Sequence, residues 1–147
     1  MSILQQFTPG SQQAEQAKYA LLYSAALDQN HIKITSDSLI RKAWNYYKHH
    51  PKDLRNQCTT LYYWGRIKLR ANDKAGALRL FLEIEKKLKD TNEPYYKGLL
   101  YSQIGEVYYA QMNYNRAYHY FRESRNNFRQ SENLREETEA TLDMACL

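Results

Sequence analysis

Glycine and proline are scarce in this 147-residue chain, five and three respectively. That scarcity excludes collagen-like and low-complexity chains and argues against turn-dense all-β architectures. Cysteine is scarcer still. Cys58 and Cys146 stand far apart, with no Cys or His beside them at metal-ligand spacing, so no disulfide framework is expected and Cys58 reads as a small buried thiol. No run approaches the ~20 apolar residues that span a bilayer. The opening ten residues lack the basic and apolar regions of a secretory signal. As written, the chain is expected to be soluble, cytoplasmic by default.

Catalytic equipment is missing as well. There is no glycine-rich phosphate loop, no Ser or Cys nucleophile beside a suitable His, and no paired-His zinc helix. His49 and His50 are adjacent, so on a helix they point about 100° apart and suit terminal carbonyls better than one metal ion. Glu106 and Glu123 read as solvated or salt-bridged carboxylates. The chain is not expected to be an enzyme or to hold a cofactor or metal.

What is present is helix-forming sequence rich in Ala, Leu, Glu, Lys, Gln and Arg, together with fourteen tyrosines against four Phe and two Trp. A tyrosine buries its ring yet needs a polar place for its hydroxyl, which suits thin architectures with much half-buried surface. The net charge is +5 and the pI about 9.1. The basic residues are nevertheless scattered among acids such as Glu83, Glu85, Glu106, Glu123 and Glu136, not drawn into the stripe that phosphate backbones require. Nucleic acid is therefore not the expected partner.

The length suits one domain. Residues 1–10, ending in Thr8, Pro9 and Gly10, read as a flexible lead-in, with residues 11–147 forming the domain. Ala14, Ala17, Leu21, Leu22, Ala25 and Ala26 recur at helical intervals and predict a helix over about 12–28. Residues 28–35 break it. Ser36 or Asp37 offers a cap by accepting from a free N–H, for a helix over about 37–50 that Pro51 stops. Asp53 then opens a helix to about 70, Asn72 and Asp73 turn and cap one to about 89, and 90–94 form a break. Helices over 95–112 and 114–130 follow, and Ser131 caps a last one to 147. The pattern is helical hairpins in series over about 12–50, 53–89 and 95–130 plus a terminal helix, seven helices in all and no strand.

The second helix of each hairpin carries a small residue followed four positions later by an aromatic: Ala43 and Tyr47, Ala77 and Phe81, Ala117 and Phe121. Ala43 to Ala77 is 34 residues and Ala77 to Ala117 is 40. The first interval equals the tetratricopeptide period. Tyr101, Ile104, Gly105, Tyr108, Ala117, Phe121 and Ser124 resemble the tetratricopeptide repeat motif nearly throughout. The preceding copy has Leu61, Trp64, Gly65, Ala77 and Phe81, but departs at Lys68 and Ile84. The N-terminal copy keeps Ala43, Tyr47 and Pro51 without the glycine. In such a packing Gly65 and Gly105 admit a neighbouring helix, Ala77 and Ala117 face them, and Phe81 and Phe121 fill the groove between hairpins. Residues 20–50 with 62–70, YYWGRIKLR, are similar to the N-terminal repeat region of bacterial tetratricopeptide sensory regulators.

The resemblance implies an all-α, right-handed superhelix of about seven antiparallel helices whose concave face takes a peptide or partner helix. It places Tyr62, Arg66, Leu69 and Arg70 on that face in one repeat and Leu99, Ser102, Glu106 and Tyr109 in the next. Trp64, Gly65, Ala77, Phe81, Tyr101, Gly105, Tyr108, Ala117 and Phe121 take packing roles. Tyr62, Arg66 and Arg70 share one helix face and suit a peptide bearing a carboxylate or an aromatic. The Lys and Asn clamp of chaperone-binding relatives is absent, Tyr62 and Arg66 occupying its helix face. Two other functions compete with this one. One is nucleic-acid binding; the other is a small-molecule sensor lined by Tyr62, Trp64 and Tyr109, against which Trp64 is expected to face its own hairpin partner. Ala145, Cys146 and Leu147 form an apolar ending that suggests truncation and invites end-to-end dimerisation. If the chain is the sensor part of a membrane-anchored regulator, its compartment would be periplasmic.

Overall fold

A computed structural model describes residues 9–131, 140, 141, 143 and 144, with side chains from residue 11 onward. Among these, six α-helices form and no strand: α1 (Pro9–Gln29), α2 (Ser38–Tyr47), α3 (Leu54–Arg70), α4 (Lys74–Leu88), α5 (Pro94–Ala110) and α6 (Tyr114–Gln130). The chain is all-α. The expected seventh helix and the apolar ending fall largely outside the described residues, as do residues 1–8 of the expected lead-in. Pro9 and Gly10 already belong to α1, as fits a proline whose missing N–H falls among the unpaired donors of a first turn.

The punctuation explains the boundaries. Asp53 accepts from the Asn56 N–H at 3.4 Å, Asp73 from Gly76 at 2.9 Å and Asn113 from Arg116 at 3.3 Å, each satisfying an orphan donor. Asp37 is the N-cap of α2 by position but makes no side-chain cap bond. Ser36 Oγ instead accepts from the Ser38 N–H at 3.4 Å. The first helices all close in the same way. At the ends of α1, α3 and α5 the residues His31, Asn72 and Met112 turn left-handed with φ of 58°, 61° and 61°. The next N–H then reaches back five residues, Ile32 to the Leu27 carbonyl, Asp73 to Lys68 and Asn113 to Tyr108, at 2.8–2.9 Å. This is the Schellman closure, which satisfies the last carbonyls and turns the chain back.

Contacts divide the chain into two compact units, 1–80 and 81–147. In the first, α1 lies on α2 and both lie on α3. Their core is Ala17, Ala20, Leu21, Ile40, Ala43, Tyr47 and Ile67, with Leu39, Tyr46, Tyr63 and Trp64 packed against it. The buried stripe of α1 is Ala17, Ala20, Leu21 and Ser24. Leu22, expected inward, is 58% exposed. Alanines at 17 and 20 bring α2 close on one side, and a single 3.6-residue helix cannot also turn Leu22 toward it. Gln57, fully buried, donates its amide to the Tyr47 carbonyl at 2.7 Å and so satisfies the end of α2 from the first turn of α3.

In the second unit α5 and α6 form a hairpin. A Cβ at Gly105 would stand 2.5 Å from Phe121 Cε1, and one at Gly98 would stand 2.6 Å from Phe128 Cδ1. Each glycine is thus a notch filled by a ring. Between them Ser124 Oγ donates to the Gly98 carbonyl at 2.8 Å, while Ala117 and Ile104 are fully buried. The sequence placed Phe121 between hairpins. Its ring sits on Gly105 of its own hairpin instead, because the notch lies on the side of α5 that faces α6.

Candidate interaction faces

In the first unit, Tyr62, Arg66 and Arg70 lie one turn apart along α3, all half-buried, and do share a face. The Arg66 guanidinium stands 5.9 Å from the centre of the Tyr62 ring, within range of a cation–π attraction. Both arginines converge on one carboxylate that sequence reasoning missed. Arg66 Nε donates to Asp28 Oδ2 at 2.9 Å and to Oδ1 at 3.0 Å. Arg70 Nη2 also donates to Asp28 Oδ1. Asp28 comes from the last turn of α1, and its side chain is 11% exposed. Beside it Gln29 donates to the Tyr63 hydroxyl at 3.4 Å. The expected anchors therefore grip a carboxylate already, one supplied by the chain itself. Leu69, the fourth expected residue, is half-buried beside them.

Trp64, expected to face its hairpin partner, is engaged by the residues of α1 and α2. Its indole N–H donates to Asp37 at the start of α2 at 3.0 Å, and its ring packs on the α1–α2 core. Lys68 approaches the same Asp37 carboxylate at 3.7 Å and Asp73 at 3.7 Å. The side chain of Asp37 is thus committed to α3, the physical reason it does not cap its own helix. Gly65, Ala77 and Phe81 are buried.

In the second unit, Leu99 and Ser102 are half-buried on α5, while Glu106 and Tyr109 are exposed. Tyr109, 45% exposed, stands 5.5 Å from the ring of Tyr114, itself 48% exposed. Met112 joins them at the helix tip, 77% exposed. Tyr101, Tyr108 and Tyr120 form an internal aromatic cluster, with ring centres 5.8 Å apart for Tyr101 and Tyr120 and 5.6 Å for Tyr108 and Tyr120. The Tyr120 hydroxyl donates to Glu85 at 3.4 Å. Burial, reinforced by the negative charge of Glu85, holds the Tyr120 phenol well above its ordinary range; burial and then Glu85 and Glu123 raise Tyr101. These are neutral packing tyrosines.

His50 Nδ1 lies 2.8 Å from the Tyr46 carbonyl, and its ring stacks on Tyr46 at 4.0 Å. The helix-end role expected of the histidine pair therefore has a partner for one of its members. Among the described residues no three His, Cys, Asp or Glu side chains gather as a metal site, and no helix is long and apolar enough to cross a membrane. No protein-family model, curated protein or solved structure gives a significant match to the chain.

Proposed function

We propose that this protein is a tetratricopeptide-like interaction module that binds a peptide or partner helix on the exposed face of its first helices. The observation that carries the reading is the convergence of Arg66 and Arg70 on one carboxylate beside the Tyr62 ring. Paired guanidiniums suit carboxylate geometry, and a tyrosine adds apolar contact area with a polar end. The alternation of hairpins, the repeated helix closures and the glycine notches are consistent with the repeat resemblance. The regulatory role implied by that resemblance, sensing on behalf of a bacterial signalling protein, belongs to the same reading.

Panning a displayed library of random peptides against the chain tests it. Enriched sequences should carry acidic and aromatic residues and should lose binding to a Tyr62→Ala variant whose circular dichroism matches the parent. Absence of enrichment, or sequences that bind both proteins equally, would displace the proposed face.

A second reading draws on α6. Arg116, Arg122 and Arg129 lie exposed on that helix with Tyr114 and Tyr118, a combination of cations and flat rings that suits single-stranded nucleic acid. Affinity for an oligothymidylate that falls steeply with salt, and falls again in Tyr118→Ala, would favour it.

A further inference from the structure

The peptide-anchoring arginines of α3 are already occupied, and the occupant is placed where it is easily given up. Asp28 belongs to the last turn of α1 (Pro9–Gln29). A carboxylate there sits at the negative end of the helix dipole, the less favourable end for an anion. What holds it is the pair of guanidiniums. Immediately after it the chain leaves the helix through residues 29–33, all exposed, with His31 in the left-handed conformation at φ 58°. Releasing Asp28 therefore disturbs one helix turn at the edge of the unit, whereas the α1 core residues Ala17, Ala20 and Leu21 lie two to three turns away. The receiving residues are fixed far better. Arg66 and Arg70 rise from the middle and end of a 17-residue helix anchored by buried Leu61, Gly65 and Ile67.

We propose that Asp28 is an internal competitor: it fills the α3 anion cradle until a carboxylate of the bound peptide takes its place against Arg66 and Arg70. This rests on the peptide-binding reading above and deepens it by assigning the ligand class, an acidic peptide, and a threshold for its binding. A tethered carboxylate acts at an effective concentration in the millimolar range or above. Apparent affinity for an external one is reduced by the fraction of molecules in which the cradle is open. A single free carboxylate competes poorly; a peptide that adds contacts at Tyr62 and Leu69 overcomes the competitor. The arrangement selects acidic side chains presented within a longer contact over isolated small acids.

The test uses two fluorescein-labelled pentapeptides, Glu-Glu-Tyr-Glu-Glu and its all-glutamine counterpart, read by fluorescence polarisation. Asp28→Asn should bind the acidic probe about tenfold or more tighter than the parent chain, with no gain for the amide probe. The gain should vanish when Arg66→Gln is added. Equal or weaker binding by Asp28→Asn overturns the proposal. If all three proteins bind both probes alike, the anion cradle is not the contact and the proposal falls, while the peptide-binding reading survives. If none binds either probe, the proposal falls and the library experiment decides the wider reading by itself. A measurement on the parent chain covers the case in which Asp28→Asn fails to fold. Adding the acidic probe should move the Arg66 and Arg70 Nε–H resonances and the Asp28 carboxyl carbon together. Movement of the arginines with the Asp28 carbon unchanged, or no movement of any, refutes displacement.

Discussion

Alanine at Gly105 separates two opposing effects that differ in sign. In a helix interior, alanine is favoured over glycine by about 1 kcal/mol, so propensity alone makes the substitution stabilising. Space makes it unfavourable. The new methyl would stand 2.5 and 2.6 Å from Phe121 Cε1 and Cδ1. Phe121 is only 3% exposed, so the ring has little room to retreat. Forcing a methyl into a packed core costs typically about 1–3 kcal/mol, and contacts this short belong in the upper part of that range. The net expectation is about 1–2 kcal/mol of destabilisation. At roughly 2–4 °C per kcal/mol for a chain of this size, the thermal midpoint followed by circular dichroism should fall by about 2–8 °C. The cost should shrink in a Phe121→Leu background, a coupling of about 0.5 kcal/mol or more across a double-mutant cycle. A raised midpoint for Gly105→Ala, or a cost unchanged in that background, would show that the glycine is not there to receive the ring.

Met112→Asn should raise the midpoint, since Met112 occupies the left-handed position at φ 61° that Asn72 fills in the preceding closure, a relief of up to about 1 kcal/mol; a lowered midpoint would give the exposed methionine a packing role. Gln57→Ala removes one of two donors to the Tyr47 carbonyl, which keeps the His50 N–H, and should cost about 0.5–1.5 kcal/mol by chemical denaturation, an unchanged stability counting against the capping role. The raised phenol of Tyr120 predicts a pH dependence. Its folded value lies above the unfolded one of about 10, so the folded chain retains the proton longer. The stability this contributes is fully present below pH ~10 and is lost as pH rises toward the folded value. Tyr120→Phe should flatten that alkaline decline in denaturation midpoints; an unaltered slope would clear Tyr120 of responsibility.

Much of the local architecture was legible because it is written in near neighbours. Asp53, Asp73 and Asn113 each precede a helix that begins at the next residue, and motif spacing marked Gly105 as a place of close approach, though not Phe121 as the ring that fills it. Both notches were visible in principle. Gly98 precedes Gly105 by seven residues and Phe121 precedes Phe128 by seven, a match that only comparison of the two helices reveals. Asp28 was not legible. It lies 38 residues from Arg66 and 42 from Arg70, beside turn-forming residues that made it look like a helix breaker, and no local pattern announces a partner at that distance. Trp64 and Asp37 illustrate the same limit: the carboxylate read as a cap serves a helix 27 residues away. Propensity and capping act within a turn or two, whereas the ion pairs and the indole bond depend on how α1, α2 and α3 meet.

The paired notches of α5 and α6 also set what the hairpin is unable to do. Two rings seated seven residues apart work like the teeth of a rack in its gear. Sliding α6 by one residue, about 1.5 Å, unseats both rings at once, and the next matching position of even one tooth lies seven residues away, about 10.5 Å along the axis. The pair therefore has a stepped register instead of a continuous one, and a thermal or binding force too weak to lift both teeth leaves the alignment of the two helices unchanged.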